Sequence, residues 1–126
     1  MKTSIIVLAT AAALAGCAHQ VDSSVRTRAE APLVCAEPQC GRYWDAAQTW
    51  LVQNSSYKLQ TVTSSVIQTY GPTANSPLLA YTIIKEPGQY GTYSIKIAAN
   101  CANMFGCQPN ALHSIAAFKD YMLALP

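Results

Sequence analysis

Thr92-Tyr-Ser-Ile-Lys-Ile-Ala-Ala99 is the stretch of this chain in which apolar and polar residues alternate most regularly. Successive side chains of a β-strand point to opposite faces of a sheet. Tyr93, Ile95 and Ile97 therefore share an apolar face, and Lys96 lies on the opposite one. This alternation predicts a strand of an antiparallel sheet that is buried on one face and meets water on the other.

Three further segments have the composition of strands. Residues 78–86 alternate in the same way and lead into the next strand through the turn residues Pro-Gly-Gln at 87–89. Residues 57–61 and 65–70 are rich in Thr, Val, Ile and Tyr, which favour strands. The Thr-Ser-Ser sequence at 63–65 leaves two interpretations open, a turn between two strands or a bulge in one long strand. The sequence therefore predicts three or four strands.

Two segments with helical periodicity flank these strands. Residues 42–54 and 109–125 repeat apolar residues every three or four positions, which gives each helix one apolar side. The apolar positions are Tyr43, Ala47, Trp50 and Leu51 in the first helix, and Ala111, Ile115, Phe118, Met122 and Leu125 in the second. Pro109 suits a first helical turn, where its missing N–H costs nothing.

The order of these elements predicts an α+β fold. One helix precedes three or four strands and one helix follows them, an α-β-β-β(-β)-α order. Short connections favour antiparallel neighbours, and one apolar sheet face needs a cover. We therefore expect a two-layer sandwich in which an antiparallel three- to four-stranded sheet carries both helices on one face.

The start of the chain has the layout of a secretory signal peptide. Lys2 is followed by an apolar run over residues 5–14 and then by Leu14-Ala15-Gly16-Cys17. The run is shorter than the roughly 20 apolar residues that a membrane-spanning helix needs. We therefore expect residues 1–16 to be removed in the mature protein.

The sequence Leu14-Ala15-Gly16-Cys17 resembles the lipobox of bacterial lipoproteins. The resemblance implies cleavage before Cys17, a diacylglyceryl thioether on its sulfur, and a fatty acid such as palmitate on its amine. Two or more acyl chains give a stable membrane anchor. Ala18, where some lipoproteins carry Asp, resembles the outer-membrane sorting pattern. The implied location is the outer membrane, with the domain in the periplasm.

Residues 17–33 are expected to be the lipidated cysteine and a flexible tether. They mix Ser, Thr, Arg and Ala without a sustained apolar period, and they lead through Pro32 into the domain. The alternative is a first strand that packs on the domain. Residues 34–126 are then a single domain, with no internal repeat and no second linker.

Four cysteines remain besides Cys17, namely Cys35, Cys40, Cys101 and Cys107. An even number in a short exported chain predicts two disulfides, which help a small domain with a small core. A zinc site is disfavoured, since the C-x₄-C and C-x₅-C spacings are wider than the usual C-x₂-C. Four cysteines allow three pairings. Closing longer loops removes more unfolded-state entropy, so we expect Cys35 and Cys40 to pair with Cys101 and Cys107, with local pairing as the competitor.

The charge and composition of the chain limit the chemical classes of partner that it can bind. Removing residues 1–16 takes Lys2 from the eight basic residues of the chain and leaves seven against six acidic ones. This near balance offers no basic patch, so nucleic acid is not an expected partner. Charged residues make up 11% of the chain, against about 25% in typical proteins. The surface must consist largely of Ser, Thr, Gln, Asn and Tyr, which is compatible with polar, uncharged partners.

A wider set of residues resembles a group of small proteobacterial lipoproteins of uncharacterised function. The resemblance covers residues 35 to about 121 and implies no activity. It is carried by Cys35-x₄-Cys40, Trp44, Trp50, Tyr57-Lys58-Leu59-Gln60 and Cys101-Ala-Asn-Met-Phe-Gly-Cys107-x-Pro109.

No motif of catalysis or cofactor binding is present. His113 would need a carboxylate or a nucleophile in reach to act as a base, and no spacing places Asp45 or Asp120 beside it. Ser64-Ser65 lack the G-x-S-x-G setting of a hydrolase nucleophile. We therefore expect neither an enzyme nor a bound cofactor or metal, unless Asp45, His113 and Asp120 cluster in a cleft.

Two features suggest contacts with a partner. Trp44 and Trp50 could stack on glycan or peptide, although the stripe that holds Trp50 favours a place in the core for both. The segment 101–107 is apolar at Met104 and Phe105, and Met and aromatic residues are enriched in interface cores. Asn103, Met104 and Phe105 are therefore a candidate contact, unless Phe105 folds back over the end of the sheet.

The sequence is compatible with two functions. The first is a non-enzymatic lipoprotein, anchored by its acyl chains to the bilayer, that binds an envelope protein or cell-wall component. The second is an inhibitor or immunity-type protein that blocks a periplasmic hydrolase or toxin. An inhibitor needs a protruding loop, which residues 101–107 or 71–77 could provide.

Overall fold

The computed structural model describes residues 21–126, which form three helices and five strands. The leader, Cys17 and the lipobox predictions lie outside these residues. The elements are α1 (Ser23–Glu30), β1 (Leu33–Ala36), α2 (Gln39–Asn54), β2 (Leu59–Val62), β3 (Val66–Thr69), β4 (Ala80–Pro87), β5 (Thr92–Asn100) and α3 (Ala111–Leu123).

The strands form one antiparallel sheet in the order β1-β5-β4-β3-β2. Strands β2 to β5 follow one another as a meander, because each connection is short enough to join neighbours. Directly opposed residues share a face, and the registers Ile83↔Ile97 and Ile67↔Ile83 line up one apolar face across three strands. Ile67 and Ile83 are fully buried there. The alternation at Tyr93, Ile95 and Ile97 thus marks the inner face, as predicted.

Helices α2 and α3 cover this inner face. Trp50 from α2 packs edge-to-face against Tyr81 of β4 and Phe118 of α3, with ring centroids 5.6 and 5.3 Å apart. Tyr81 Oη also lies 2.8 Å from Ser114 Oγ of α3. Burial raises the pKa of Tyr81. The outer face has no helix over it within residues 21–126, and the predicted α+β two-layer sandwich is confirmed.

Strand β1 enlarges the predicted sheet from three or four strands to five. It pairs with the start of β5 through Leu33↔Ile95 and Cys35↔Tyr93. Leu33 and Cys35 are buried, and Val34 between them is exposed, so the short segment alternates like its neighbour. The alternative of a packed first strand was correct from residue 33 onward.

Helix α1 corrects the expectation of a flexible tether. Asp22 caps it by accepting a hydrogen bond from Ser24 N at 2.7 Å, which also lowers the pKa of its carboxyl. Val25 and Ala29, one turn apart, are buried in a small cluster with Ala116 of α3. Residues 21–33 therefore belong to the folded domain, and the rest of the predicted tether, residues 17–20, lies outside the described residues.

The last turn of α1 is fixed by charged side chains of α3. Lys119 Nζ donates hydrogen bonds to the backbone oxygens of Ala29, at 2.6 Å, and of Ala31. Arg28 forms an ion pair with Asp120. The final carbonyls of a helix have no partner within the helix, so the ammonium group satisfies them. Burial lowers the pKa of Lys119.

Helix α3 has two apolar sides because it lies between α1 and the sheet. Phe118 and Met122 point into the main core, as predicted. Ile115, which we expected to face the sheet, packs instead against the cluster of Val25, Ala29 and Ala116. The apolar stripe of α3 was correct as a pattern but serves two different neighbours.

No helix within residues 21–126 is long and apolar enough to span a bilayer.

We expect Trp50→Ala to destabilise the domain strongly. The side chain is 4% exposed and contacts both the sheet and α3, and truncating a buried aromatic residue costs about 3–5 kcal/mol. Val52→Ala, on the same helix but 69% exposed, is the matched control and should have little effect. Denaturant unfolding of the two variants measures the difference, and equal losses would contradict this assignment of the core.

Candidate functional site

The segment between Cys101 and Cys107 projects from the end of β5. Cys101 directly follows that strand, and its disulfide to Cys107 closes a loop with a Cα–Cα distance of 5.7 Å. Met104 and Phe105 at the tip are 89% and 92% exposed. Of the two interpretations that the sequence left open, the structure decides for the exposed tip.

A tight turn inside the loop fixes its shape. Phe105 N donates to Asn103 Oδ1 at 2.9 Å, and Gly106 N donates to the Asn103 carbonyl oxygen at 3.3 Å. Asn side chains commonly stabilise turns by bonding to backbone two residues on. Gly106 has a φ of 105°, a conformation that other residues rarely adopt. The tip is therefore held by backbone and side-chain bonds independent of the two exposed side chains.

A second loop, residues 71–77, lies directly beside the first. Asn103 Nδ2 donates to the Asn75 carbonyl oxygen at 2.8 Å, and Gln108 N donates to the Pro77 carbonyl oxygen at 2.9 Å. Ala74 and Ala102 form an isolated parallel bridge between these contacts. The two segments considered separately as protruding loops thus form one composite surface, which we call the loop end of the molecule.

Tyr57 contacts the 71–77 segment of the loop end. Its hydroxyl oxygen accepts a hydrogen bond from Thr73 N at 2.9 Å. A Cβ atom at Gly71 would lie 2.8 Å from the Tyr57 ring, and Gly71 has a φ of +85°, so glycine is required there twice over. The hydrogen bond with Thr73 lowers the pKa of Tyr57 by favouring the phenolate.

A shallow pocket of about 560 Å³ lies between the tip loop and the first turn of α3. His113 contributes an imidazole to its wall, and the other polar side chains there are the amides of Gln108 and Asn110. The pocket can offer hydrogen bonds to an uncharged polar group. It is lined by Phe105, Gly106, Cys107, Gln108, Asn110 and His113.

The residues considered for catalysis do not come together. His113 lies in the pocket at the loop end, whereas Asp120 pairs with Arg28 two turns further along α3. Asp45 is exposed on α2 and lines neither of these places. In the part of the chain that the structure describes, no three His, Cys, Asp or Glu side chains are placed to hold a metal ion.

Both tryptophans are buried, as the stripe favoured. Trp44 is 7% exposed and donates from Nε1 to the Thr63 carbonyl oxygen at 2.9 Å. Lys85 Nζ lies 5.2 Å from its ring centre and 5.3 Å from that of Tyr93. Neither Trp44 nor Trp50 presents a free ring face for a glycan.

Sequence reasoning missed the residues that organise the loop end, namely Tyr57, Asn75 and Asn103 in its structural role. Asn75 has a φ of 61°, a left-handed conformation that Asn tolerates better than most residues. The run Gly71-Pro72-Thr-Ala-Asn75-Ser-Pro77 carried a turn signal, but nothing in it indicated its partner. The contact between the two loops depends on strand order, which local patterns do not show.

Comparison with known proteins gives no relative to this chain. No protein-family model matches it, and neither a search of curated proteins nor a search of solved structures found a match.

The disulfides are local, which contradicts the expected cross-pairing. Cys35 bonds to Cys40 across the turn between β1 and α2, and Cys101 bonds to Cys107. Cys35 lies opposite Tyr93 at the start of β5, whereas Cys101 follows its end. Eight residues of strand separate these positions by about 27 Å. A disulfide spans Cα atoms no more than about 7 Å apart, so the sheet forbids cross-pairing.

We expect peptide mapping of the unreduced protein to recover Cys35–Cys40 and Cys101–Cys107. Replacing both Cys101 and Cys107 by Ser should destabilise the domain by roughly 2 kcal/mol, the loop-closure value for so short a ring. Denaturant unfolding would measure this loss. A mapped bond between either of the first two cysteines and either of the last two would contradict the assigned sheet register.

Phe105→Ala should leave the stability of the domain almost unchanged. The ring is exposed, and surface substitutions away from structural contacts usually stay within about 0.5 kcal/mol. Phe118→Ala, in which a fully buried ring is removed, provides the contrast. Thermal unfolding of both variants compares them directly. A loss at Phe105 as large as that at Phe118 would rule out an exposed tip.

Proposed function

We propose that this protein is a lipid-anchored lipoprotein of the bacterial envelope that acts by contact rather than by catalysis. Its acyl chains on Cys17 would hold it to the outer membrane, with the domain in the periplasm. It would bind an envelope protein or cell-wall component, with Asn103, Met104 and Phe105 forming a contact.

The observation that carries this proposal is the braced, exposed apolar tip at Met104 and Phe105. Two large apolar side chains in water are unfavourable unless something covers them in use. The loop is closed by a disulfide and bonded to its neighbour through Asn103, so little freedom remains to be lost on contact. A rigid apolar tip on a largely uncharged surface suits recognition.

The anchor is supported by residues at the start of the chain. Lys2, the apolar run and Leu14-Ala15-Gly16-Cys17 together give the order of charged, apolar and small residues that export and lipidation require. The local disulfides are consistent with an oxidising compartment.

Metabolic labelling with a fatty acid tests the anchor. The wild-type protein should be labelled and found in the membrane fraction, whereas Cys17→Ala should lose the label and leave that fraction. The double variant Cys101→Ser/Cys107→Ser is the control and should keep the label, because those sulfurs are not acylated. Undiminished labelling of Cys17→Ala would contradict the lipoprotein proposal.

A second candidate function is an inhibitor or immunity-type protein. The observation that favours it is the joining of residues 71–77 and 101–107 into one projecting surface, since a cleft-blocking protein needs a loop that holds its shape. Copurification of a periplasmic hydrolase or toxin in equal amounts, lost in Phe105→Ala, would favour this function over the first.

A further inference from the structure

The position of the lipid anchor bears on what the Met104–Phe105 tip touches. Helices α1 and α3 run in the same direction, because their contacts advance together along both. Val21, Val25 and Ala29 pack with Leu112, Ile115 and Ala116, and the end of α1 then meets Lys119 and Asp120. The start of α1 therefore lies beside the start of α3.

The start of α3 belongs to the loop end. Ala111 follows Cys107 by four residues, and His113 in the first turn lines the same pocket as Phe105 and Gly106. Val21, where the described chain begins, is consequently on the same end of the molecule as the tip. The hairpin turn at Tyr90, between β4 and β5, is at the opposite end of the sheet.

The chain between the anchor and the domain is short. Cys17 precedes Val21 by four residues, which span at most about 14 Å even when fully extended. An acylated Cys17 would therefore hold the loop end, rather than the Tyr90 end, next to the surface of the bilayer.

The composition of the loop end suits a lipid surface. Lys58 is the one residue with a full charge in segments 55–58, 70–79 and 101–110, so few charges would lose water there. Asp22, which caps α1, is the nearby carboxylate. Met104 and Phe105 are exposed at the tip, and Tyr70 and Leu78 are exposed in the neighbouring connection. Aromatic and apolar side chains lie favourably at the boundary between headgroups and acyl chains.

We infer that the Met104–Phe105 tip inserts into the membrane that holds the Cys17 acyl chains, as a second point of attachment. This inference rests on the proposed anchor and names the lipid surface as the occupant of the tip. Two attachment points fix the orientation of the domain, whereas a single point leaves it free to rotate. The contact proposed for Asn103, Met104 and Phe105 is then made with lipid, and an envelope partner meets the faces turned away from the bilayer, including the open face of the sheet.

The test uses the mature, acylated protein in vesicles of phosphatidylethanolamine and phosphatidylglycerol with brominated acyl chains, which quench nearby tryptophan emission. The variants are Phe105→Trp and, as the matched control, Tyr90→Trp, whose site is 98% exposed at the other end. The wild-type protein measures the background of the buried Trp44 and Trp50. The tryptophan at 105 should shift its emission to shorter wavelength and lose most of its intensity, and the tryptophan at 90 should do neither.

The other outcomes separate the anchor from the tip. Vesicle-bound Phe105→Trp that is not quenched would overturn insertion of the tip while leaving the anchor intact. If the mature protein carries no acyl chains and does not float with the vesicles, both the Cys17 anchor and the insertion of the tip are overturned. A photo-crosslinker at position 105 that joins mainly to one protein in living cells would also overturn the inference, because a protein would then occupy the tip.

Discussion

The packing of Trp50 between Tyr81 and Phe118 joins the three parts of the core. The indole of α2 touches the sheet through Tyr81 and α3 through Phe118, both edge-to-face, so one side chain sets how the two helices share the inner face. Tyr81 adds its hydroxyl contact with Ser114. These contacts at Phe118 and Ser114 fix the placement of α3, and with it the position of its first turn. The pocket beside the tip loop and the start of α1 both lie against that turn.

Strong local patterns were enough to predict most of this architecture. The alternation at 92–99 and the apolar stripes of α2 and α3 were enough to predict these elements, although the stripe of α3 could not show that Ile115 packs against α1 rather than the sheet. Helix α1 gave only two buried apolar residues, Val25 and Ala29. Its stability depends on Lys119 and Asp120, about ninety residues later, and no pattern in residues 18–33 could indicate them.

The disulfides and the Met104–Phe105 tip likewise depend on contacts between residues that are distant in the sequence. Loop entropy concerns the unfolded chain, whereas the pairing of cysteines is set by native distances along β5. The loop that carries Phe105 is bonded through Asn103 to Asn75, a residue in another connection. Sequence reasoning could select the right loop and the right cysteines, but their geometry follows from strand order and register.

The way charge is used distinguishes the two halves of the molecule. Away from the loop end, charged side chains bond to one another or to the backbone: Arg28 pairs with Asp120, Lys96 pairs with Glu86, and Lys119 satisfies the last carbonyls of α1. The loop end is held instead by neutral hydrogen bonds of Asn103 and Tyr57 and by a disulfide. Neutral bonds within the loops need no counterion and leave no unpaired charge when water is withdrawn. A surface built in this way keeps its shape against an apolar partner, since the bonds that form its turns are all internal to it.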